Sequence, residues 1–225
     1  MGSYGKKQHT SLAKLLKKIS QIQGVRRIRM GSIEPIQINE EFRELINEPW
    51  MAKHLHIALQ HTSKDMLKIM NRRNKVLDDL ELFEFLSSSG YALGTDYIVG
   101  HPGETDQLWA EAMSNLHRFP LTHIHAFTYS KRDGTPSAAM KGEVRGNIAK
   151  IRYNELINII EEKNLEFRKK LQPLNILVET KKDNIYTGLD QYFNKIEITC
   201  NTDLIGDWVR IENYKIEGQI NVAKF

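Results

Sequence analysis

Thr95-Asp96-Tyr97-Ile98-Val99-Gly100-His101-Pro102-Gly103-Glu104-Thr105 is the stretch that decides the fold. The run from Tyr91 to Val99 reads as a buried strand, and Gly100 to Glu104 reads as a tight polar turn. Thr105 then caps a helix whose apolar residues Leu108, Ala112, Met113 and Leu116 recur at helical spacing. The same strand, polar turn and helix order extends in both directions. Upstream, Thr10 and Ser11 precede an amphipathic helix carrying Leu12, Leu15, Leu16, Ile19 and Ile22, with Gly24 as its stop. A strand over Val25–Met30 runs into the turn Gly31-Ser32-Ile33-Glu34-Pro35, Asn39 caps a short helix with Phe42, Leu45 and Ile46, and a strand over His54–Leu59 meets Gln60-His61-Thr62-Ser63. A helix or helix pair fills Ser63–Ser88, closed by Gly90. Downstream, a strand over Leu121–Tyr129 ends at Ser130–Pro136, and a long helix over Val144–Leu171 offers Ile148, Ile151, Leu156, Ile159 and Ile160 as its buried face.

Four strands joined by helices imply parallel pairing, because parallel neighbours need crossover connections, so the expected class is α/β. In such folds ligands bind beyond the carboxyl ends of the strands, where all four polar turns fall. Composition shifts at Gln172-Pro173. The remainder reads as short strands, Asn175–Lys181, Ile185–Leu189, Lys195–Cys200, Trp208–Ile211 and Gly218–Val222. The expected division is therefore an α/β unit over 1–172 and a small all-β module over 173–225.

The chain has 225 residues, 40% of them apolar, enough for a real core, and no apolar run approaches the length of a membrane span. Its first residues lack the apolar centre of a secretory signal, which implies a cytoplasmic protein. The net charge of +4 is unevenly spread: residues 1–30 hold eight Lys or Arg and no acid, whereas the rest is slightly acidic. Such a segment fits an RNA or phosphate partner and equally the solvated face of a helix. The single cysteine, Cys200, excludes an internal disulfide and any self-contained Cys₄ zinc or Cys₃ iron–sulfur site.

Three kinds of chemistry are open. His54-x-His56 and His123-x-His125 each place two imidazoles on one strand face, the start of a metal site, but no further Asp or His at recognisable spacing completes either pair, so no metal ligand is assigned. The turn Gly100–Glu104 lets backbone approach a ligand closely, and a ligand-free strand-to-helix turn would use the same residues. Glu34, Asp96 and Glu104, at strand ends, are placed to bind ribose hydroxyls, a ligand ammonium or Arg132. Cys200, in an alternating segment with Lys195 as its nearest base, reads as a small buried hydrophobe.

Taken together, Ser3-Tyr4-Gly5-Lys6, Arg27–Pro35, His54–Gln60, Met70-Asn71-Arg72, Thr95–Glu104 and Tyr129-Ser130-Lys131-Arg132-Asp133-Gly134-Thr135-Pro136 resemble the radical SAM methylthiotransferases over essentially the whole chain. The Ser-Ile-Glu-Pro turn and the Tyr-Ser-x-Arg-x-Gly-Thr block most resemble the branch that methylthiolates threonylcarbamoyladenosine beside the tRNA anticodon. His101, and Ala58 with His61-Thr62, depart from the family's usual residues.

The resemblance implies a partial radical SAM β/α barrel followed by a TRAM-like β-barrel that contacts RNA. It implies S-adenosylmethionine and 4Fe-4S clusters as cofactors and tRNA as partner. The family holds its radical cluster with a C-x₃-C-x₂-C loop after the first barrel strand, and its auxiliary cluster with three further cysteines; neither set is present here. The chain then corresponds to a C-terminal portion that cannot perform radical chemistry alone, with a partner chain or preceding segment supplying the cysteines. Carried over by position, Ser32, Glu34, Gln60, Asp96, Gly100 and Gly103 are expected on the S-adenosylmethionine side, and Arg132 toward the substrate. Lys181, Lys182, Arg210 and Lys215 are the expected RNA patch of the β module. A non-catalytic RNA-binding or assembly subunit is the alternative, and a metal-dependent hydrolase built on the His-x-His strands a third. An incomplete barrel leaves a parallel sheet edge expected to pair with another chain.

Overall fold

The computed structural model describes residues 10–170 and 173–225. The Ser3-Tyr4-Gly5-Lys6 block, Lys6 and Lys7 lie outside the described residues, as do the two positions before Pro173 where composition shifts. Two sheets organise the chain. The first has four parallel strands in sequential order: β1 (Ile28–Ile33), β2 (Met51–Ile57), β3 (Ala92–Val99) and β4 (His123–Thr128). Helix α1 (Leu12–Ser20) precedes the first strand, and α2 (Glu40–Arg43), α3 (Lys64–Ile69), α4 (Val76–Ser88) and α5 (Asp106–Arg118) lie in the crossovers. The caps expected from sequence are in place at Ser11, Asn39 and Thr105, and Ser63 adds one not expected; each accepts a backbone N–H from the first turn of its helix.

One face of this sheet is apolar. Met30, Leu55, Ile57, Leu93, Tyr97 and Val99 pack with Leu16, Phe42, Phe83, Trp109 and Leu116 from the helices into one core. Because side chains alternate along a strand, the residues between them, His54, His56, Gly94, Asp96, His123 and His125, share the opposite face. Parallel sheets are usually apolar on both faces. This one is apolar outside and polar inside, as expected for part of a barrel whose interior carries chemistry.

The strands begin and end a few residues from the sequence expectation. β1 covers Ile28–Ile33, because Ile28 N–H bonds to Trp50 O and pairing starts there. Ile22 lies beyond the end of α1 and is exposed. The long helix α6 (Gly146–Arg168) is the clearest correction: Ile151 faces solvent, and the buried face is Ala149, Arg152, Leu156, Ile160, Asn164 and Arg168. Leu156 and Ile160 are buried as expected and Ile159 packs against the core, but three of the six buried residues are polar, which an apolar count alone misses.

The second sheet curls from β5 (Leu174–Lys182) through β6 (Ile185–Leu189), β7 (Lys195–Thr199), β8 (Trp208–Ile211), β9 (Lys215–Glu217) and β10 (Ile220–Lys224), in the order β8-β5-β6-β7-β10-β9. Its core is Leu174, Ile176, Val178, Tyr186, Ile196, Ile198, Cys200, Val209 and Ile211. β9, for which the sequence predicts no strand, pairs antiparallel with β10. The second half of α6 joins the two sheets. Arg168 donates to Asn164 Oδ1 (2.6 Å) and Gly218 O (2.7 Å), and Asn164 donates to Asn194 Oδ1 (3.1 Å). Arg26 and Arg27 from the basic N-terminal segment stack on Trp208, and Arg29 lies 3.8 Å over Phe193. Three of that segment's charges thus pack against the second sheet's aromatics.

Candidate functional site

The carboxyl ends of β2, β3 and β4 open onto a cleft of about 780 Å³. Gln60, Asp96, Ile98, His101, Phe127 and Arg132 are among its lining residues, with Arg72 and Tyr129 beside them. Gln60 enters it through unusual backbone. Its φ is +70°, its N–H bonds to Asp96 O and its carbonyl accepts from Ile98 N–H, so the chain rejoins β3 three residues past the end of β2. That left-handed kink is costly for a residue with a Cβ, and Gln60, buried, lines the cleft there. Phe127, half exposed, offers an apolar platform. The Tyr129 hydroxyl is buried and has no hydrogen-bond partner among the described residues. His101 is held by Ser137 Oγ at Nε2 (2.9 Å) and stands edge-on to Tyr129.

Of the residues expected on the cofactor side, Gln60 and Asp96 line this cleft together, as does Arg132, expected toward the substrate. Ser32 (φ +52°) and Glu34 lie at the end of β1, both exposed, and are not among its lining residues. Gly100 and Gly103 shape the turn behind it. Gly100 has φ +78°, and a Cβ there would stand 2.9 Å from Ala149 Cβ, so the close approach it permits is that of α6. Gly103 N–H bonds to Gly142 O. Neither turn amide is therefore free to face a ligand.

Glu104 and Asp96 are not partners of Arg132. Glu104 is buried; its carboxylate accepts the Gly100 N–H at 3.1 Å and Arg152 Nη1 at 2.7 Å. Arg152 also reaches Glu104 O (2.9 Å) and Asp106 Oδ1 (2.6 Å). His61, fully buried, accepts the Ser63 N–H at Nδ1, and its Nε2 lies 3.4 Å from Glu104 Oε2 without making a hydrogen bond. Asp96 instead meets His56 Nε2 at 3.0 Å and His125 Nδ1 at 3.6 Å. The expectation that nothing completes the His-x-His pairs is corrected here: strand register, which spacing in one segment cannot reveal, brings Asp96 between them.

Gly94 makes this arrangement possible. A Cβ at Gly94 would lie 2.8 Å from His56 Nδ1, 3.2 Å from His54 Nε2 and 3.3 Å from His123 Cβ, so the imidazoles occupy the space a side chain would take. Burial pushes His54 down to about 2 and His123 down to about 4, and lowers His56 despite its hydrogen bond to Asp96. His54 and His123 are therefore neutral at physiological pH.

In the second sheet, Lys181 and Lys182 end β5 and are exposed, Arg210 is on edge strand β8 and Lys215 on edge strand β9. Arg210 is engaged by Glu212 (2.6 Å), and Lys181 lies 3.9 Å from Asp203. Cys200 is buried, with Thr202 Oγ1 3.1 Å from its Sγ, and that hydrogen bond, with a smaller contribution from the Lys181 charge, lowers its thiol pKa.

No family model matches the chain. Individual relatives do. A protein of Helicobacter pylori (strain J99), provisionally named a methylthiotransferase, is 48% identical over the whole of this chain and 55% of its own length. This chain is a methylthiotransferase homologue. Among other such homologues, the threonylcarbamoyladenosine tRNA methylthiotransferases MtaB of Thermotoga maritima and Bacillus subtilis are 32% and 30% identical, over 98% and 100% of this chain and 52% of each relative. The chain thus spans about half the length of the curated relatives it matches. Among solved structures, Escherichia coli coproporphyrinogen III oxidase, HemN, described as a radical SAM enzyme, superposes with a TM-score of 0.55 at 13% identity, covering 80% of this methylthiotransferase homologue and 50% of HemN. That likeness is one of fold, and it fits the parallel sheet with an inward polar face. No helix among the described residues is long and apolar enough to cross a membrane.

Proposed function

We propose that this chain is part of a cytoplasmic tRNA methylthiotransferase acting on threonylcarbamoyladenosine beside the anticodon, and that the cleft at the carboxyl ends of β2 to β4 receives S-adenosylmethionine. The observation that carries the reading is the make-up of that cleft. It has the volume of a nucleoside-sized site, an apolar platform in Phe127, the polar Gln60 and Asp96, and the orphaned Tyr129 hydroxyl. When bound, S-adenosylmethionine supplies the methyl group and the radical precursor of the reaction. Gln60 and Asp96 would meet its polar groups, with Ser32 and Glu34 at the neighbouring strand end. Gly100 and Gly103 would act by setting the turn that closes the cleft from behind. Arg132, exposed at the rim, would meet substrate phosphate.

A 4Fe-4S cluster does not fit the residues present. It needs at least three thiolates, and the only cysteine, Cys200, is buried in the second sheet. Any cluster serving this cleft would be ligated from outside these 225 residues. We read 173–225 as a TRAM-like module presenting Lys181, Lys182, Arg210 and Lys215 to tRNA, and 1–172 as the barrel part.

Equilibrium dialysis tests the cofactor reading. Saturable binding of S-adenosylmethionine, competed by S-adenosylhomocysteine and weakened by Gln60→Ala, is expected. A folded chain that takes up neither ligand would remove the reading. For the module, Lys181→Ala with Lys182→Ala should weaken binding to a tRNA anticodon stem-loop and reduce its salt slope by about 2.

A further inference from the structure

His56, Asp96 and His125 sit on three adjacent parallel strands, and one ligand atom from each lies within 4.8 Å of the other two. Strand ladders fix their spacing: His56 is opposite Gly94, and Asp96, two residues on, is opposite His125. With metal–nitrogen and metal–oxygen bonds of about 2.0–2.2 Å, tetrahedral donor atoms stand roughly 3.3 Å apart. The His56 to Asp96 and Asp96 to His125 distances, 3.0 and 3.6 Å, already match that spacing. Only the two imidazoles must draw closer, and the His125 side chain, 64% exposed, is free to turn.

The surroundings suit an ion with open coordination positions. His56 is buried with Nδ1 against Gly94, so Nε2 is the nitrogen presented to Asp96. Asp96 and His125 face the polar side of the sheet, where water or another ligand can complete the shell. Two imidazoles and one carboxylate with vacant positions are a donor set of first-row divalent metals, and too poor in oxygen for calcium or magnesium.

We propose that His56, Asp96 and His125 bind one divalent transition-metal ion of the zinc or cobalt class. The proposal does not rest on the cofactor reading, although Asp96 borders both sites, and it is tested with no nucleoside present. Untagged, chelator-stripped protein is titrated with Co²⁺ and followed by its visible d–d absorption, with Zn²⁺ then added as competitor. One equivalent of Co²⁺ should develop bands that Zn²⁺ abolishes. His125→Ala, an exposed change that leaves the core intact, should weaken binding at least tenfold, and Asp96→Asn likewise. His117→Ala, on α5, should bind as the parent does, and far-UV circular dichroism verifies that each variant is folded. Absence of a saturable band, or a folded His125→Ala protein that binds Co²⁺ like the parent, overturns the proposal.

Discussion

Arg152 Nη1 lies 2.7 Å from Glu104 Oε1, both side chains are buried, and the pair ties the second turn of α6 to the turn after β3. Because Glu104 also accepts the Gly100 N–H, this ion pair sets the shape of the cleft's rear wall. Breaking a buried pair on one side strands a charge. Arg152→Met should therefore destabilise the chain by about 3–5 kcal/mol in urea unfolding. Adding Glu104→Gln to that variant should recover part of the loss, whereas two independent residues would show additive losses.

Gly100 combines a left-handed backbone with a site that a methyl group would overfill. Gly100→Ala should cost about 2–4 kcal/mol, from the φ penalty and the overlap with Ala149. Ala149→Gly in the same chain relieves only the overlap, so thermal unfolding should show a partial rescue.

Asp79 is buried on α4, and its carboxyl is pushed up to about 6 by burial, with Asp78 adding and the hydrogen bond from Asn74 opposing. A folded-state value above the unfolded one means that Asp79 contributes stability below about pH 4 and loses it as pH rises through about 6. Asp79→Asn, which keeps the shape and an acceptor for Asn74, should stabilise the chain by about 1–2 kcal/mol at pH 7.5 and by almost nothing at pH 4. A gain that does not change with pH would mean the carboxylate is not the cause.

Much of the fold was legible because its signals are local. Hydroxyl and amide caps at Ser11, Asn39 and Thr105, and the glycine stop at Gly90, mark helix ends within one stretch of chain, whereas α1 ends at Ser20, before Gly24. The β/α alternation then gives parallel pairing. What resisted reading depends on distant partners. Arg152 and Arg168 are buried because Glu104, Gly218 O and Asn164 receive them, whereas Ile151, the better hydrophobe, faces solvent. The meeting of Asp96 with His56 and His125 depends on register among three strands. One signal for it was present: Gly94, a glycine inside a strand, marks close approach of other groups, here three histidines.

The central claim is that S-adenosylmethionine enters the cleft at the strand ends, and chemical-shift mapping on the ¹⁵N-labelled chain tests it most directly. Without a cluster to anchor the ligand, affinity should be weak, about 0.1–1 mM. Saturable shifts should concentrate at Gln60, Asp96, Ile98, Phe127 and Tyr129, and shrink when Gln60 is replaced by alanine. Shifts confined to the second sheet, or none up to about 5 mM ligand, would contradict the account.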